Sequence, residues 1–284
     1  MDILPEVLSQ DIGDAQLQYL SYPGDGATIV MLHATGFQPW LWHPIARELA
    51  GRFRVIAPYF CDHRVFDPEE GGLSWLVLAD DLAAFTGRLG LEAPLIVGHS
   101  MGATVATIAE VLEGPIASRM VLIEPIFLPS GLYDFEITVE QHPLASRSIR
   151  RRSEWRDTAE AREYLRARKL FMDWDEEMLE LYLEHGMTQA ENGALTLACQ
   201  PGREAALFMG SMVKDPWPLL DKISCPVLLV EGANSENKEV IDLARAASMI
   251  PGAELRAIEG AGHLVPMEKP RELLALIKEF FEPV

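Results

Sequence analysis

Short apolar runs alternate along this chain with longer segments in which apolar residues recur at helical spacing. Continuous apolar runs such as 28–32 and 95–97 are typical of strands buried in a parallel sheet. The segment 76–89 instead repeats its apolar residues every three or four positions, which predicts an amphipathic helix. The repeated alternation predicts an α/β protein with a mainly parallel, doubly wound sheet.

The predicted strands are apolar runs, each bounded by turn or loop residues. They cover residues 16–22, 28–32, 53–57, 95–97, 119–123, 226–230 and 254–258. The first run alternates in polarity, which predicts an early antiparallel strand, and the later runs predict buried strands. Helices are predicted over residues 40–49, 76–89, 105–112, 238–249 and 269–281.

The alternation stops in the middle of the chain. Residues 126–223 contain no convincing strand pattern, and helical spacing occurs at 158–169, 176–185 and 203–212. We therefore predict two parts. Residues 1–125 and 224–284 form an α/β core, and residues 126–223 form a helical cap inserted into it.

Composition narrows the class of protein. The 284 residues are 49% hydrophobic, enough for a sizeable core. Lys and Arg number 24 against 43 Asp and Glu, a net charge of −19, which argues against a nucleic-acid partner. The start of the chain lacks the pattern of a signal peptide, and no apolar run approaches the roughly 18 residues of a membrane span. We expect a cytoplasmic protein.

We assign no further site to the cysteine and arginine patterns. Cys61, Cys199 and Cys225 are odd in number and widely spaced, which predicts neither a disulfide framework nor a metal site. No cofactor is expected. The run Arg147 to Arg152 is compatible with an anionic substrate, but a solvated helix face accounts for it more simply.

The strongest chemical signal is the G-x-S-x-G sequence Gly98-His99-Ser100-Met101-Gly102. It stands between an apolar strand and a helical pattern. In such an elbow the glycines permit close approach of strand and helix, and the serine hydroxyl projects above the sheet. Ser100 is therefore the predicted nucleophile.

A serine nucleophile needs a base to remove its proton. His263 follows the last predicted strand, within Gly260-Ala261-Gly262-His263. Ser100, Glu124 and His263 all come just after predicted strands, where active sites of open α/β sheets form. Their chain order, serine, acid, histidine, is the order that accompanies this elbow.

With these motifs and the segment 32–37, the chain resembles the α/β-hydrolase fold family over nearly its whole length. The resemblance implies a serine hydrolase with a helical cap. In relatives, the loop that here runs from His33 to Phe37 supplies one amide of the oxyanion hole, and the residue after the nucleophile supplies the other. Carried over, these donors are the amides of Thr35 and Met101, with Ala34 at the place of the usual glycine.

The acid departs from the common pattern. Many relatives carry an aspartate in a Gly-x-x-Asp sequence where this chain has serine in Gly232-Ala233-Asn234-Ser235. Zearalenone-lactonase-like hydrolases and one class of haloalkane dehalogenases instead place the acid after the preceding strand, which here gives Glu124. Glu236 and Asp242 are the alternatives. Pro125 predicts an extended backbone at Glu124.

Together these features predict hydrolysis of a carboxylic ester or lactone through an acyl-serine intermediate. The expected partner is a small-molecule substrate, with a homodimer left open and no nucleic acid or membrane. Two alternatives remain. One is hydrolysis of a carbon–carbon bond in a diketone-like substrate, and the other is a ligand receptor with this fold and negligible turnover.

Overall fold

The backbone is organised around one large sheet, and a computed structural model describes residues 3–281. The strands, in chain order, are β1 (Glu6–Asp11), β2 (Gln16–Tyr22), β3 (Thr28–Leu32), β4 (Arg54–Pro58), β5 (Leu95–His99), β6 (Arg119–Ile123), β7 (Glu154–Trp155), β8 (Met187–Gln189), β9 (Leu195–Leu197), β10 (Val227–Gly232) and β11 (Glu254–Ile258). The α-helices are α1 (His43–Leu49), α2 (Trp75–Arg88), α3 (Met101–Leu112), α4 (Pro143–Arg150), α5 (Thr158–Arg166), α6 (Glu176–His185), α7 (Pro201–Met209), α8 (Leu243–Met249), α9 (Val265–Glu268) and α10 (Pro270–Phe281).

The large sheet has the order β1-β2-β4-β3-β5-β6-β10-β11. Only the pairings of β1 with β2 and of β2 with β4 are antiparallel, and every pairing from β4 to β11 is parallel. The predicted mainly parallel sheet with an early antiparallel strand is therefore confirmed. The chain leaves β3 towards β4 on one side and leaves β5 towards β6 on the other side. The loops after β3 and β5 therefore diverge and open a crevice there.

Helices cover both faces of this sheet. On β3, Ile29 and Met31 belong to the apolar cluster that includes residues of α1 and α10. Val30 and Leu32 belong to the other cluster, with residues of α2 and α3. All four strand residues have no exposed surface. Burial of such side chains contributes roughly 1.5–3 kcal/mol each, which holds the strand ends in fixed positions.

Some predicted boundaries are displaced. The helix predicted over 40–49 begins as a 3-10 helix, Pro39–Trp42, before α1. The one predicted over 238–249 divides into the 3-10 helix Glu236–Glu239 and α8, because the Asp242 side chain accepts from Arg245 N and caps a new helix. Strand β1 was not predicted, because almost all its residues are exposed and the sequence shows no apolar pattern there.

The expectation that the inserted segment contains no strand is wrong. Strands β7, β9 and β8 form a small antiparallel sheet among α4, α5, α6 and α7. Each has only two or three residues, too few to produce a visible alternation. Helical structure at the three predicted segments is confirmed. The division into core and cap at residues 126 and 223 stays a prediction.

The inserted segment packs on loops at the carboxyl ends of the core strands. Asp175 N donates to Met267 O at 2.9 Å, and Leu73 N donates to Ala206 O at 2.9 Å. Within residues 3–281 no helix has the length and apolarity to cross a membrane. The three cysteines are buried and free of disulfides.

Candidate active site

Ser100 occupies a strained turn between β5 and α3. Its backbone has φ 54° and ψ −115°, a conformation that is costly for a residue with a side chain. The Ser100 amide donates to Ile123 O at 2.9 Å, and this bond holds the turn against β6. The side chain is thereby fixed above the carboxyl end of the sheet.

The two glycines of the elbow are required by close contacts. A Cβ on Gly98 would lie 2.6 Å from the backbone N of Ala103, at the start of α3. A Cβ on Gly102 would lie 2.6 Å from Leu32 O and 2.8 Å from His33 O. No side chain fits at these distances. The sequence motif thus reflects the packing of α3 against both β5 and the loop after β3.

A chain of hydrogen bonds links Ser100, His263 and Glu124. Ser100 Oγ lies 3.1 Å from His263 Nε2, and His263 Nδ1 lies 3.0 Å from Glu124 Oε2. The three residues follow β5, β11 and β6, so the sheet brings His263 beside two residues that lie more than a hundred positions earlier in the chain. In the tautomer with hydrogen on Nδ1, the ring donates to Glu124 and accepts from the serine.

Glu124 is buried, and its carboxylate accepts from the last residue of β10 and from the loop that follows. Oε1 accepts from Gly232 N at 2.8 Å, and Oε2 accepts from the Ser235 hydroxyl at 2.7 Å. The following Pro125 predicted an extended backbone at Glu124, but the observed φ is 49°, in the left-handed region. The expectation is wrong because tertiary bonds outweigh the local preference: Glu124 N donates to Val230 O at 2.8 Å while its side chain is drawn across β10.

The two alternative acids have other partners. Glu236 is exposed and forms an ion pair with Lys169, which lies in the inserted segment. Asp242 Oδ1 accepts from Arg245 N at 2.9 Å and caps α8. Glu124 is thus the carboxylate that contacts the His263 ring.

The loop after β3 carries Thr35, the first predicted oxyanion donor. His33 fixes this loop, since its Nδ1–H donates to Ala34 O at 2.9 Å and its Nε2 accepts from Phe60 N at 3.0 Å. Burial lowers the pKa of His33, so the ring stays neutral and can accept that bond. Within residues 3–281, the Thr35 and Met101 amides have no acceptor in the protein. Both remain available to a ligand.

His99 contacts the backbone and the ring of His263. Its Nε2–H donates to the backbone oxygen of His263 at 2.9 Å, and the two rings lie 5.2 Å apart between centroids. Burial, with a smaller contribution from His263, lowers the pKa of His99 to about 3. A neutral His99 adds no positive charge beside the base.

One arginine of the run 147–152, Arg151, pairs with Glu204, whose side chain lies beside Gly36 in the loop after β3. The other arginines of the run, at 147, 150 and 152, are exposed, as expected for a solvated face. Arg151 Nη1 forms a 3.0 Å ion pair with Glu204 Oε1, and its Nη2 donates to Cys199 O at 3.2 Å. The same Glu204 oxygen would lie 2.2 Å from a Cβ on Gly36, where the φ of 78° favours glycine. Burial raises the pKa of Glu204, and Arg151 opposes that effect.

Aromatic residues of the inserted segment pack over the same loop. Phe37 lies 5.5 Å from Trp174 and 6.0 Å from Tyr182 between ring centroids. Phe171 joins them at 4.8 Å from Trp174. These rings bury one another, so they form an apolar cluster between the inserted segment and the loop after β3.

Two residues that lie beside the site were not predicted from the sequence. Asn237 places its side-chain amide 2.8 Å from His263 Nδ1. Cys61 Sγ lies 3.9 Å from Met101 Sδ, beside the nucleophile, and burial raises the pKa of its thiol well above the usual value. Neither residue belongs to a recognisable motif. Residues 3–281 contain no cluster of three or more His, Cys, Asp or Glu suited to a metal ion.

Comparison with known proteins finds relatives along almost the whole chain. The model of the alpha/beta hydrolase family matches residues 29–276. The dihydrolipoyllysine-residue acetyltransferase component of the acetoin cleaving system of Cupriavidus necator is 27% identical, over 95% of this chain and 67% of that protein.

Solved structures share the fold. The crystal structure of E-2-(acetamidomethylene)succinate hydrolase superposes with a TM-score of 0.82 at 22% identity, over 98% of this chain and 99% of that one. A thermophilic esterase from Thermogutta terrifontis has a TM-score of 0.71 at 22% identity, over 97% and 98% of the two chains. At such identities the likeness establishes the fold.

Proposed function

The chain belongs to the alpha/beta hydrolase family, and from this we propose that it is a serine hydrolase of a carboxylic ester or lactone. The observation that carries the proposal is the line of hydrogen bonds from Ser100 through His263 to Glu124. A hydroxyl, an imidazole and a carboxylate in this order form the arrangement that activates serine for attack on an acyl carbon.

In the proposed reaction, Ser100 Oγ attacks the carbonyl carbon of the substrate while its proton passes to His263 Nε2. The resulting imidazolium is stabilised by Glu124, which accepts from Nδ1. His263 then delivers the proton to the leaving alcohol, and the acyl group stays on Ser100. Water, activated by the same imidazole, releases the acid and restores the serine.

The negative charge that develops on the carbonyl oxygen needs donors already in place. We propose the amides of Thr35 and Met101, which lack acceptors within the described part of the chain. The Met101 amide also opens α3, where the helix dipole favours negative charge. A single donor of this kind contributes roughly 3 kcal/mol to stabilisation of the transition state.

A second reaction is favoured by the structural comparison. The similar E-2-(acetamidomethylene)succinate hydrolase is named for a substrate with an acetamido group and two carboxylates. Arg151 pairs with Glu204, which lies beside Gly36 in the loop after β3. The buried Nε of Arg151 has no hydrogen-bond partner among residues 3–281. A carboxylate-bearing acyl substrate is therefore the second candidate, cleaved by the same serine.

A substrate panel tests these proposals. We would assay p-nitrophenyl esters of increasing acyl length, lactones of several ring sizes, a diketone, and 2-(acetamidomethylene)succinate. Turnover of esters or lactones, with labelling of Ser100 by a fluorophosphonate, is the expected result. Turnover confined to the diketone would favour carbon–carbon hydrolysis. Saturable binding of an ester without turnover would overturn the enzyme assignment and favour a receptor.

A further inference from the structure

Two side chains compete for one ring nitrogen of His263. Glu124 Oε2 lies 3.0 Å from Nδ1, and the amide nitrogen of Asn237 lies 2.8 Å from the same atom. A carboxylate can only accept a hydrogen bond, whereas an amide nitrogen can only donate one. A single Nδ1 cannot be donor and acceptor at once, so one of the two contacts must be arranged differently.

The surroundings of Glu124 decide which contact prevails. Its buried carboxylate already accepts from Gly232 N and from the Ser235 hydroxyl, which stabilises the ionised form. An ionised carboxylate beside a bare Nδ1 lone pair would be repulsive, so Nδ1 carries hydrogen. The nitrogen and oxygen of an amide have nearly the same shape and size, so Asn237 can turn its oxygen towards the ring without other movement.

We propose that Asn237 is a positioning residue whose amide oxygen shares the Nδ1 proton of His263 with Glu124. Two acceptors around Nδ1 stabilise the tautomer in which Nε2 is free to accept from Ser100. They also stabilise the imidazolium formed when the serine proton arrives. The kinetic part of this inference rests on the proposed function, while the hydrogen-bonding part concerns the ring alone.

The backbone of Asn237 is held on both sides. Its N–H donates to the Ser235 hydroxyl oxygen at 3.3 Å, and its carbonyl accepts from Ile241 N at 2.7 Å. The preceding Glu236 is tied to Lys169 of the inserted segment. This anchoring keeps the side chain beside the ring, as a positioning role requires.

Few ionisable groups face His263. From the loop after β6 comes Glu124, and from β5 comes His99, which burial keeps neutral. From α9, which follows the loop of His263, the Glu268 carboxylate accepts from Gly262 N. From the loop after β10, the uncharged Asn237 contacts the ring and the uncharged Ser235 contacts Glu124. Glu236 is exposed and is paired with Lys169. Replacing Asn237 with aspartate therefore adds one charge next to the ring.

The direct test is ¹⁵N NMR of the His263 ring as a function of pH, in the intact protein. Asn237→Ala should lower the ring pKa, because an acceptor for Nδ1–H is lost. Asn237→Asp should raise it by about one unit, because an anionic acceptor favours the imidazolium. Asn234→Ala, an exposed asparagine in the same loop, is the matched control and should leave the titration unchanged.

The opposite signs separate the alternatives. A ring pKa that rises in Asn237→Ala would mean that the amide nitrogen donates to Nδ1, and an unchanged value would mean that Asn237 only fills space. Either result overturns the inference. Because the titration needs no substrate, it remains readable even if no ester or lactone is turned over.

Kinetics give a second readout once a substrate is known. Asn237→Ala should lower kcat about tenfold with little change in KM, since the contact is with the base and not with the substrate. In Asn237→Asp the acidic limb of the kcat/KM profile should move to higher pH along with the ring pKa. A rise in KM alone would contradict a role through His263.

Discussion

The Ser235 hydroxyl donates a 2.7 Å hydrogen bond to Glu124 Oε2, although the two residues are 111 positions apart. Ser235 stands at the sequence position where many relatives carry the acid, and Glu124 follows the neighbouring strand β6. The carboxylate from one strand thus reaches the space beside the other. The serine at the common position therefore donates to the carboxylate that contacts His263.

The first prediction concerns the nucleophile. Ser100→Ala should abolish ester turnover and labelling by a fluorophosphonate, because the atom that forms the acyl intermediate is gone. The fold should survive, since the Ser100 backbone carries the turn. Ser248→Ala, at an exposed serine of α8, should retain both activities. Persistent labelling of Ser100→Ala would place the nucleophile elsewhere.

The second prediction concerns the acid. Glu124→Gln should lower kcat by about 10⁴-fold, the loss expected when a triad carboxylate becomes an amide. The amide cannot stabilise the imidazolium and can hold the wrong tautomer of His263. Circular dichroism and denaturation should show that the fold is kept, and steady-state kinetics measure the loss.

The alternative acids supply the controls for that measurement. Glu236→Gln and Asp242→Asn should each stay within about tenfold of the parent, because neither carboxylate contacts His263. If either variant lost about as much kcat as Glu124→Gln, the residue changed in that variant would be the acid.

The third prediction moves the acid. Glu124→Ala should be inactive, and the double variant Glu124→Ala, Ser235→Asp should recover about tenfold or more of the lost kcat. The reason is that Ser235 Oγ already lies 2.7 Å from the Glu124 oxygen that contacts His263. Ser235→Asp alone should be less active than the parent, because two carboxylates would compete for one space. No recovery in the double variant would show that the two positions are not equivalent.

The fourth prediction links the Arg151–Glu204 pair to pH. Burial raises the pKa of Glu204, so the folded protein binds its proton more tightly than the unfolded chain. Stability therefore falls as pH rises from the ordinary value of 4.5 through the raised one. Arg151→Met removes the opposing charge and should destabilise the protein by about 3 kcal/mol at pH 8, and by less near pH 4.5.

Denaturation at the two pH values measures this effect. Glu204→Gln added to Arg151→Met should remove most of the pH dependence, since no carboxyl then titrates at that position. Arg150→Met, at an exposed arginine of α4, is the control for loss of a positive charge. Equal destabilisation by Arg151→Met at both pH values would contradict the buried-pair interpretation.

Much of the core was predictable because its signals are local. The apolar runs at 28–32 and 119–123 are strands in the structure at those same residues. The elbow was predictable because close approach of neighbouring backbone permits only glycine at Gly98 and Gly102. A strand as short as β7, or an edge strand as exposed as β1, shows no periodic pattern of apolar residues in the sequence.

The sequence by itself therefore determined the parallel sheet, the elbow and the order of Ser100, Glu124 and His263 along the chain. Only the tertiary structure decided which carboxylate meets the histidine, because that depends on how far a side chain reaches across neighbouring strands. It also decided the left-handed backbone of Glu124, where bonds to β10 overrode the preference set by Pro125. The contact of Asn237 with His263 Nδ1 was likewise decided by the tertiary structure. The two residues lie in loops after different strands, and a contact between such loops leaves no pattern in the sequence of either one.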